Sequence, residues 1–331
     1  MILTKTPYRI SFFGGGTDYP QWYLKNGGEV ISSTIDKYIY ISCRDLPSFF
    51  DHKYRIVYSK LEMVKEISKI QHLPIRVILK DMEKKIKEIP GLEIHYNGQL
   101  PARSGMGSSS SFVVGLMNTV YHYFGFQLNK KILSKKSIYI EREVLKETVG
   151  SQDQVAAAYG GFNSIKFDTN GSFKVTPIFD TEKDAKNFSK NLFIYYTDIN
   201  RTAKYIANSY VTKLNNKKKK NINEILSHVK ESKKILNSKK FDDFGRLLNE
   251  TWKIKRDLSK QVSSNFIDKI YSDGMKSGAL GGKLLGAGGG GFILFYVPKD
   301  NQKYFLKKMN SRLLFPINFT NRGSEVVYSD E

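Results

Sequence analysis

The chain has 331 residues, of which 40% are hydrophobic and 26% are charged, and its formal net charge is +21. This length allows two domains with full hydrophobic cores, although one large domain is not excluded. The excess of Lys and Arg favours polyanionic partners such as nucleic acid, an acidic membrane or phosphorylated small molecules, but groove-reading motifs are missing, so nucleic-acid binding is not expected.

The cysteine count and the lengths of the apolar segments limit which disulfides, metal sites and membrane spans the chain can have. Cys43 alone excludes an intramolecular disulfide and a zinc site built on several thiolates. The N-terminus, MILTKTPYRI, has no sustained apolar run, and no later segment has 18 uninterrupted apolar residues. We therefore expect a cytoplasmic protein without a membrane span.

The first predicted strand, TPYRISFF, runs directly into the glycine-rich turn GGGTDY. Aromatic and β-branched residues predict the strand. Arg9 is a cation within this otherwise apolar strand, and it is either a site residue or a charge on an edge strand. Further strands are predicted over VISSTIDKYIYISCR, YRIVYS and LEIHYNGQLP.

The segment PARSGMGSSSS, from Pro101 to Ser111, predicts a phosphate-binding turn between a strand and a helix. Gly105 and Gly107 let the backbone approach an anion closely. The following SSSSFVVGLMNTVYHYF is apolar at helical spacing, so loop amides and the positive end of the helix dipole would converge on one point. The turn is not a Walker A loop, because its spacing and lysine differ. A Ser-capped helix without a ligand is the alternative.

Two predicted helices that carry candidate carboxylates follow the phosphate-binding turn. LSKKSIYIEREVLKE predicts a helix on which Glu141 and Glu143 lie on different faces, so at most one of them reaches a common site. A short helix is predicted from about Gln152 to Tyr159, ended by two glycines. Asp153 at its start is the best candidate for a general base; an acidic residue that merely stabilises the helix dipole is the alternative.

The second half is predicted to be an α+β unit. Asn170 and Gly171 close a predicted hairpin, and the polar segment 180–190 suggests a boundary between domains 1–180 and 181–331. The run of four lysines at 217–220 is expected in a solvated loop. A third glycine cluster, KLLGAGGGGFILF, predicts a loop that passes close to a ligand or another backbone, with a bulged hairpin as the alternative.

The three glycine-rich segments, taken in order, resemble the motifs of the GHMP kinase family. Pro7 to Tyr19 resembles the first motif, Pro101 to Ser110 the phosphate loop PxxxGLGSS with Met106 for Leu, and Leu285 to Phe292 the third. The resemblance implies a two-domain α+β kinase with an N-terminal ATP- and sugar-binding domain, a ferredoxin-like C-terminal domain and an active site between them.

The resemblance also implies roles, carried over position by position for ATP, Mg²⁺ and a sugar. The residues are Asp153 and Arg9 for catalysis; Pro101, Arg103, Ser104, Gly105, Met106, Gly107, Ser108, Ser109, Ser110 and Thr197 for the nucleotide; Gly14, Gly15, Gly16, Thr17, Asp18, Gly288 and Gly289 for the sugar; and Ser109 and Glu141 for Mg²⁺.

One departure from the family bears on the substrate. Galactokinases have the motif GEHTDY, whereas this chain has Gly15 and Gly16 in place of Glu and His. Loss of a carboxylate leaves room for a sugar that already carries phosphate. GGGTDYPQWY, DKYIYISCR and FFDHKYRIVYS resemble the branch that phosphorylates anomeric hydroxyls.

Within that branch, the resemblance implies D-glycero-D-manno-heptose 7-phosphate as the acceptor. The 1,7-bisphosphate would then be the product, made for activated-heptose (nucleotide sugar) and surface polysaccharide biosynthesis. On charge and branch likeness, His52, Lys53 and Arg55 are candidate ligands of the distal phosphate.

Two alternatives remain at this point. One is a fucokinase-like enzyme for an unphosphorylated sugar. The other is a non-catalytic protein that binds sugar phosphates or nucleotides; Asp153, Glu141 and Arg9 together argue against it, because binding alone needs no base. The expected partners are ATP and a small sugar phosphate, and a homodimer is allowed but not required.

Overall fold

A computed structural model describes residues 1–199, 203–309 and 313–330. The strands, in chain order, are β1 (Ile2–Phe13), β2 (Gly28–Asp45), β3 (Tyr54–Val57), β4 (Leu61–Val64), β5 (Leu92–Gly98), β6 (Phe162–Phe167), β7 (Phe173–Pro177), β8 (Leu192–Tyr196), β9 (Gly281–Leu284), β10 (Phe292–Tyr296), β11 (Leu314–Pro316) and β12 (Glu325–Ser329). The α-helices are α1 (Pro20–Asn26), α2 (Leu73–Glu83), α3 (Ser108–Tyr123), α4 (Lys130–Tyr139), α5 (Gln152–Tyr159), α6 (Glu182–Ser189), α7 (Ala203–Val211), α8 (Lys219–Asn237), α9 (Phe241–Arg256), α10 (Asn265–Lys276) and α11 (Gln302–Lys308). The predicted α+β fold is confirmed.

The first sheet is organised around the long antiparallel pair β1 and β2. Its order is β12-β1-β2-β5-β3-β4, and the hairpin β6–β7 also pairs with β2. On the same side, β2 therefore pairs with β6 along its first part and with β5 along its last part. The last described strand, β12, lies beside the first, β1.

Helix α3 lies across β1 and β2 and carries the phosphate loop at its N-terminus. Its residues are mostly buried, which agrees with the apolar periodicity of the sequence. Gly115 permits a close approach, because a Cβ there would lie 2.7 Å from Thr6 Oγ1. Thr4 and Thr119 are also joined by a 2.6 Å hydrogen bond between their hydroxyls. The phosphate loop is thus anchored to β1.

The second sheet has the order β11-β8-β10-β9. An aromatic cluster joins it to the first sheet: the ring of Phe188 in α6 lies 6.3 Å from that of Phe12 in β1 and 6.3 Å from that of Tyr296 in β10, measured between centroids. Helices α8 and α9 also contact β1. The division at residue 180 stays a prediction.

Several local predictions are confirmed and one is wrong. α5 has the predicted bounds, and the hairpin at Asn170 and Gly171 joins β6 to β7. Of the lysine run expected in a loop, Lys219 and Lys220 instead form the first turn of α8, because the apolar spacing that follows extends the helix over them. Among the described helices, none has the length and apolar character needed to cross a bilayer.

Candidate active site

Arg9 and Asp153 form a two-pronged ion pair at the centre of the site. Arg9 Nε lies 2.7 Å from Oδ1 of Asp153, and Nη2 lies 2.6 Å from Oδ2. The third guanidinium nitrogen, Nη1, donates to the carbonyl oxygen of Gly105 at 2.7 Å. Arg9 is buried, whereas the Asp153 side chain keeps 23% of its surface exposed. One cation therefore ties the candidate base to the phosphate loop, and the carboxylate remains partly exposed.

The phosphate loop is shaped by its glycines and held by the third glycine cluster. Gly105 and Gly107 have φ of +81° and +73°. A Cβ on Gly105 would lie 2.7 Å from the carbonyl oxygen of Leu285, and one on Gly291 would lie 2.2 Å from that of Ser104. The amide of Phe292 donates to Ser104 at 3.1 Å. The prediction that the third cluster passes close to another backbone is confirmed.

The other loop residues that were predicted to bind the nucleotide differ in their exposure to solvent. Pro101, Arg103 and Ser109 are exposed, and Ser108 accepts a 3.3 Å hydrogen bond from the Arg103 amide. Ser104, Met106 and Ser110 are buried, and the Met106 carbonyl accepts from the Arg9 amide. The loop therefore presents its exposed members to solvent, while its buried members pack inside the fold.

Asp18 is a buried carboxyl next to the Arg9–Asp153 pair. Its Oδ1 accepts from the Gly16 amide at 3.1 Å, and its Oδ2 accepts from the Gln152 side chain at 3.0 Å. Burial raises the pKa of Asp18 from 3.8 to about 6, and the negative charge of Asp153 adds to the rise. The first motif is thereby joined to the start of α5.

This raised pKa predicts a pH-dependent contribution to stability. Between about pH 4 and pH 6 the native state holds a proton on Asp18 that the unfolded state has lost, so the free energy of unfolding falls as pH rises, by about 3 kcal/mol for two pKa units. Asp18→Asn should flatten this slope. Urea unfolding of both proteins between pH 4 and pH 8 measures it, with Asp300→Asn as an exposed control. Equal slopes for wild type and Asp18→Asn would contradict the assignment.

Glu141 is fully buried on a π-helical turn, Ile140–Val144, that continues α4. Its Oε1 accepts from Ser109 Oγ at 3.1 Å, and Oε2 accepts from the Gln154 side chain. Burial raises the pKa of Glu141 to about 7, against hydrogen bonds from Ser110 and Gln154 that lower it. Glu143 points away and is half exposed, as the spacing predicted.

The pair of Glu141 and Ser109 fits a magnesium ion. Both side chains offer oxygen, and Mg²⁺ in nucleotide sites is held by one or two such groups together with waters and phosphates. Ser109 is exposed beside the phosphate loop. Among the described residues no cluster of three or more His, Cys, Asp or Glu side chains could hold a metal by itself.

The glycine turn of the first motif is open on one side only. A Cβ on Gly15 would meet only Ser11 Oγ, at 4.0 Å, whereas one on Gly16 would lie 3.0 Å from Cδ1 of Ile222 in α8. Gly14 and Thr17 stabilise the turn, since Thr17 Oγ1 donates to the Gly14 carbonyl at 2.8 Å. The extra room inferred from the sequence therefore lies at Gly15.

Thr197, Gly288 and Gly289 have structural partners. The Thr197 hydroxyl donates to the Gly291 carbonyl at 2.8 Å, and the Gly289 amide donates to the Val262 carbonyl at 2.8 Å. A Cβ on Gly288 would also lie 2.7 Å from that oxygen. These residues order the third loop, and the Thr197 hydroxyl and the Gly289 amide already donate to carbonyls of the protein.

The proposed ligands of a distal phosphate, His52, Lys53 and Arg55, lie elsewhere. Arg55 donates to the buried Glu93 at 2.8 Å and to His52 at 3.3 Å, while Lys53 pairs with the exposed Glu88.

The sheet register shows how far away this cluster is. Glu93 pairs with Arg44 on β2, ten residues beyond Thr34, the partner of Arg9. The register shifts between Pro7 and Arg9, where β2 has extra residues, so the distance is better counted on β1. There Arg9 lies seven residues from Ile2, the partner of Cys43 beside Arg44, which at about 3.3 Å per residue is roughly 23 Å along the strand. The assignment is wrong, because no sugar of seven carbons spans that distance. Charge and local likeness in the sequence do not show at which end of a sheet a residue lies.

Two cations near the site, the buried Lys283 and the half-buried Lys255, were missed by sequence reasoning. Lys283 of β9 donates from Nζ to the Phe12 carbonyl at 2.7 Å. Lys255, in the last turn of α9, donates to the carbonyls of Leu284 and Gly286 at 2.8 and 2.6 Å. Lys283 lies two residues before the third glycine motif, and this position is a signal that could have identified it. Lys255 has no comparable signal in the sequence.

Comparison with known proteins places this geometry in a family. Residues 72–161 match the family of the GHMP kinases N terminal domain. D-glycero-alpha-D-manno-heptose 7-phosphate kinase of Campylobacter jejuni is 30% identical over 333 residues, which cover 97% of each chain. L-fucokinase/L-fucose-1-P guanylyltransferase of Bacteroides fragilis is 27% identical over 91% of this chain and 35% of that protein.

A solved structure shares the whole fold. The crystal structure of a D-glycero-D-manno-heptose 1-phosphate kinase from Bacteroides thetaiotaomicron matches with a TM-score of 0.81 and 22% identity, over 99% of this chain and 100% of that one. The chain belongs to the GHMP kinase family and is a sugar kinase.

Proposed function

We propose that this sugar kinase transfers the γ-phosphoryl group of ATP to the anomeric hydroxyl of D-glycero-D-manno-heptose 7-phosphate, giving the 1,7-bisphosphate. The observation that best supports this reaction is the position of the Asp153 carboxylate. Arg9 orients this carboxylate and links it to Gly105 of the phosphate loop. The acceptor is inferred from the relative that covers 97% of the chain.

Asp153 acts as the general base in this proposal. It takes the proton from the C1 hydroxyl while that oxygen forms a bond to the γ-phosphorus, and the bond from phosphorus to the β–γ bridging oxygen breaks, so that ADP leaves with the electron pair. Arg9 contacts both carboxylate oxygens, which fixes the carboxylate at the hydroxyl and keeps it from rotating.

The phosphate loop receives the nucleotide in this proposal. Gly105 to Ser110 present amides at the start of α3, where the helix dipole favours an anion. Ser109 and Glu141 would hold Mg²⁺, which offsets the charge of the phosphate oxygens when it is bound. Asp18 would accept a hydrogen bond from a sugar hydroxyl, and the open side at Gly15 would receive the rest of the sugar.

The proposal extends to organisation and setting. Residues 1–180 would form the ATP- and sugar-binding domain and 181–331 the C-terminal domain. The enzyme would act in the cytoplasm, where ATP and sugar phosphates are found, and its product would supply activated heptose for surface polysaccharide.

A kinase for an unphosphorylated sugar is the second candidate. It is favoured by the fucokinase relative, which matches 91% of this chain. The non-catalytic alternative no longer applies to a sugar kinase.

The deciding measurement is ADP release with Mg-ATP over a panel of acceptors: D-glycero-D-manno-heptose 7-phosphate, the unphosphorylated heptose, mannose, fucose and galactose. We expect turnover to be selective for the heptose 7-phosphate, with a new phosphate at C1 seen by phosphorus NMR. Activity on fucose alone would overturn the substrate and keep Asp153 as the base. Silence across the panel would overturn the acceptor class.

A further inference from the structure

The residues assigned by the resemblance carry too little positive charge for their substrates. The assigned set contains two cationic side chains, Arg9 and Arg103, of which Arg9 is already paired with Asp153. It contains three carboxyl groups: Asp18, Glu141 and Asp153. ATP and a sugar phosphate each carry several negative charges. Phosphoryl transfer also needs cations at the transferred group, beyond the metal.

Lys255 brings a cation to the edge of the phosphate loop. Its Nζ donates to the Gly286 carbonyl at 2.6 Å. Gly286 in turn packs on Gly105, since a Cβ on Gly286 would lie 2.6 Å from the Cα of Gly105. Gly105 is the residue whose carbonyl accepts from Arg9. Arg9 and Lys255 therefore approach the same turn of the loop.

Neither Lys255 nor Lys283 has a carboxylate in an ion pair within the described part of the chain. Burial lowers the pKa of Lys255, and the positive charges of Lys283 and Arg9 lower it further. The Lys255 side chain is half-buried, and a cation that is held there only by carbonyl dipoles is stabilised when an anion completes its surroundings. The two carbonyls also use only two of its three N–H donors.

We propose that Lys255 is a catalytic residue that donates its remaining N–H to the transferred γ-phosphoryl group. Lys283 of β9 donates to the Phe12 carbonyl at the end of β1, and the proposal gives it no contact with the nucleotide. The inference rests on the proposed ATP-dependent transfer but not on the identity of the sugar.

A purely structural role for Lys255 makes a different prediction. As a clamp on Leu284 and Gly286, it would support the loop for every nucleotide alike. As a γ-phosphate ligand, it should distinguish ATP from ADP. The comparison of these two nucleotides therefore separates the roles.

The test compares Lys255→Met with Lys253→Met, which removes an exposed charge from the same helix. Calorimetry with Mg²⁺ should show a Kd for a non-hydrolysable ATP analogue raised about 10- to 100-fold in Lys255→Met, and a Kd for ADP changed less than about twofold. Lys255→Arg should restore most of the affinity. kcat should fall about 10²-fold or more with any acceptor, phosphorylated or not, and Lys253→Met should match the wild type.

Three outcomes would overturn the proposal: equal weakening of both nucleotides, a loss confined to KM for a phosphorylated sugar, or the same losses in Lys253→Met. Should Lys255→Met fail to fold, Lys255→Gln, whose amide can still donate to a carbonyl, carries the same expectations. The calorimetry uses no sugar, so its result is independent of the proposed heptose substrate.

Discussion

Asp153→Asn should lower kcat by about 10²- to 10⁴-fold, which is the usual contribution of a positioned general base. The amide keeps the size of the carboxylate and can still accept from Arg9, but it cannot take the proton of the C1 hydroxyl. Affinity for Mg-ATP should change little, because Asp153 contacts Arg9 and not the amides of the loop. Steady-state kinetics and calorimetric nucleotide binding measure both effects.

Asp300→Asn is a suitable control, since Asp300 is an exposed carboxylate in a short 3₁₀ turn far along the chain. It should leave kcat and the unfolding temperature unchanged. Near-normal turnover in a folded Asp153→Asn protein would show that another group takes the proton, and the Arg9–Asp153 pair would then be structural.

Gly105→Ala should destabilise the protein by about 2 to 5 kcal/mol and impair nucleotide binding. The left-handed backbone at φ +81° costs a side chain about 1–2 kcal/mol. The added Cβ would also lie 2.7 Å from the Leu285 carbonyl oxygen, and such crowding typically costs about 1–3 kcal/mol. Urea unfolding and the Kd for an ATP analogue are the measurements.

Gly125→Ala separates strain from crowding. Gly125 has a similar φ of +79°, but a Cβ there meets nothing within 4 Å. It should therefore cost only the backbone term, about 1–2 kcal/mol, with nucleotide binding intact. If both variants lose the same stability and bind nucleotide equally well, the contact between the phosphate loop and the third glycine loop is not important.

Local signals in the sequence predicted the secondary structure around the site. Two glycines end α5 where the pattern indicated, and apolar periodicity identified α3. These features depend on residues within one or two turns. Arg9 and Asp153, by contrast, are 144 residues apart, and only the resemblance to a family connected them.

Features that depend on how distant elements pack were not predictable in this way. Ile222 limits the space at Gly16 because α8 packs over the first motif. Lys255 reaches the loop because α9 ends beside β9. The π-helical turn that carries Glu141 has no recognised sequence signal in this chain. The misassigned Arg55 shows the same limit: its charge was visible, but its partner Glu93 and its end of the sheet were not.

The position of β12 beside β1 has a consequence for how the protein is made. Multidomain chains commonly fold from the N-terminus as they leave the ribosome. Here the outer edge of β1, the strand that carries Arg9, stays unpaired until residues 325–329 have been synthesised. An open strand edge is a template for wrong pairing and aggregation. We therefore expect a nascent or truncated chain ending near residue 180 to need chaperone protection, and the first sheet to be complete only after translation of β12.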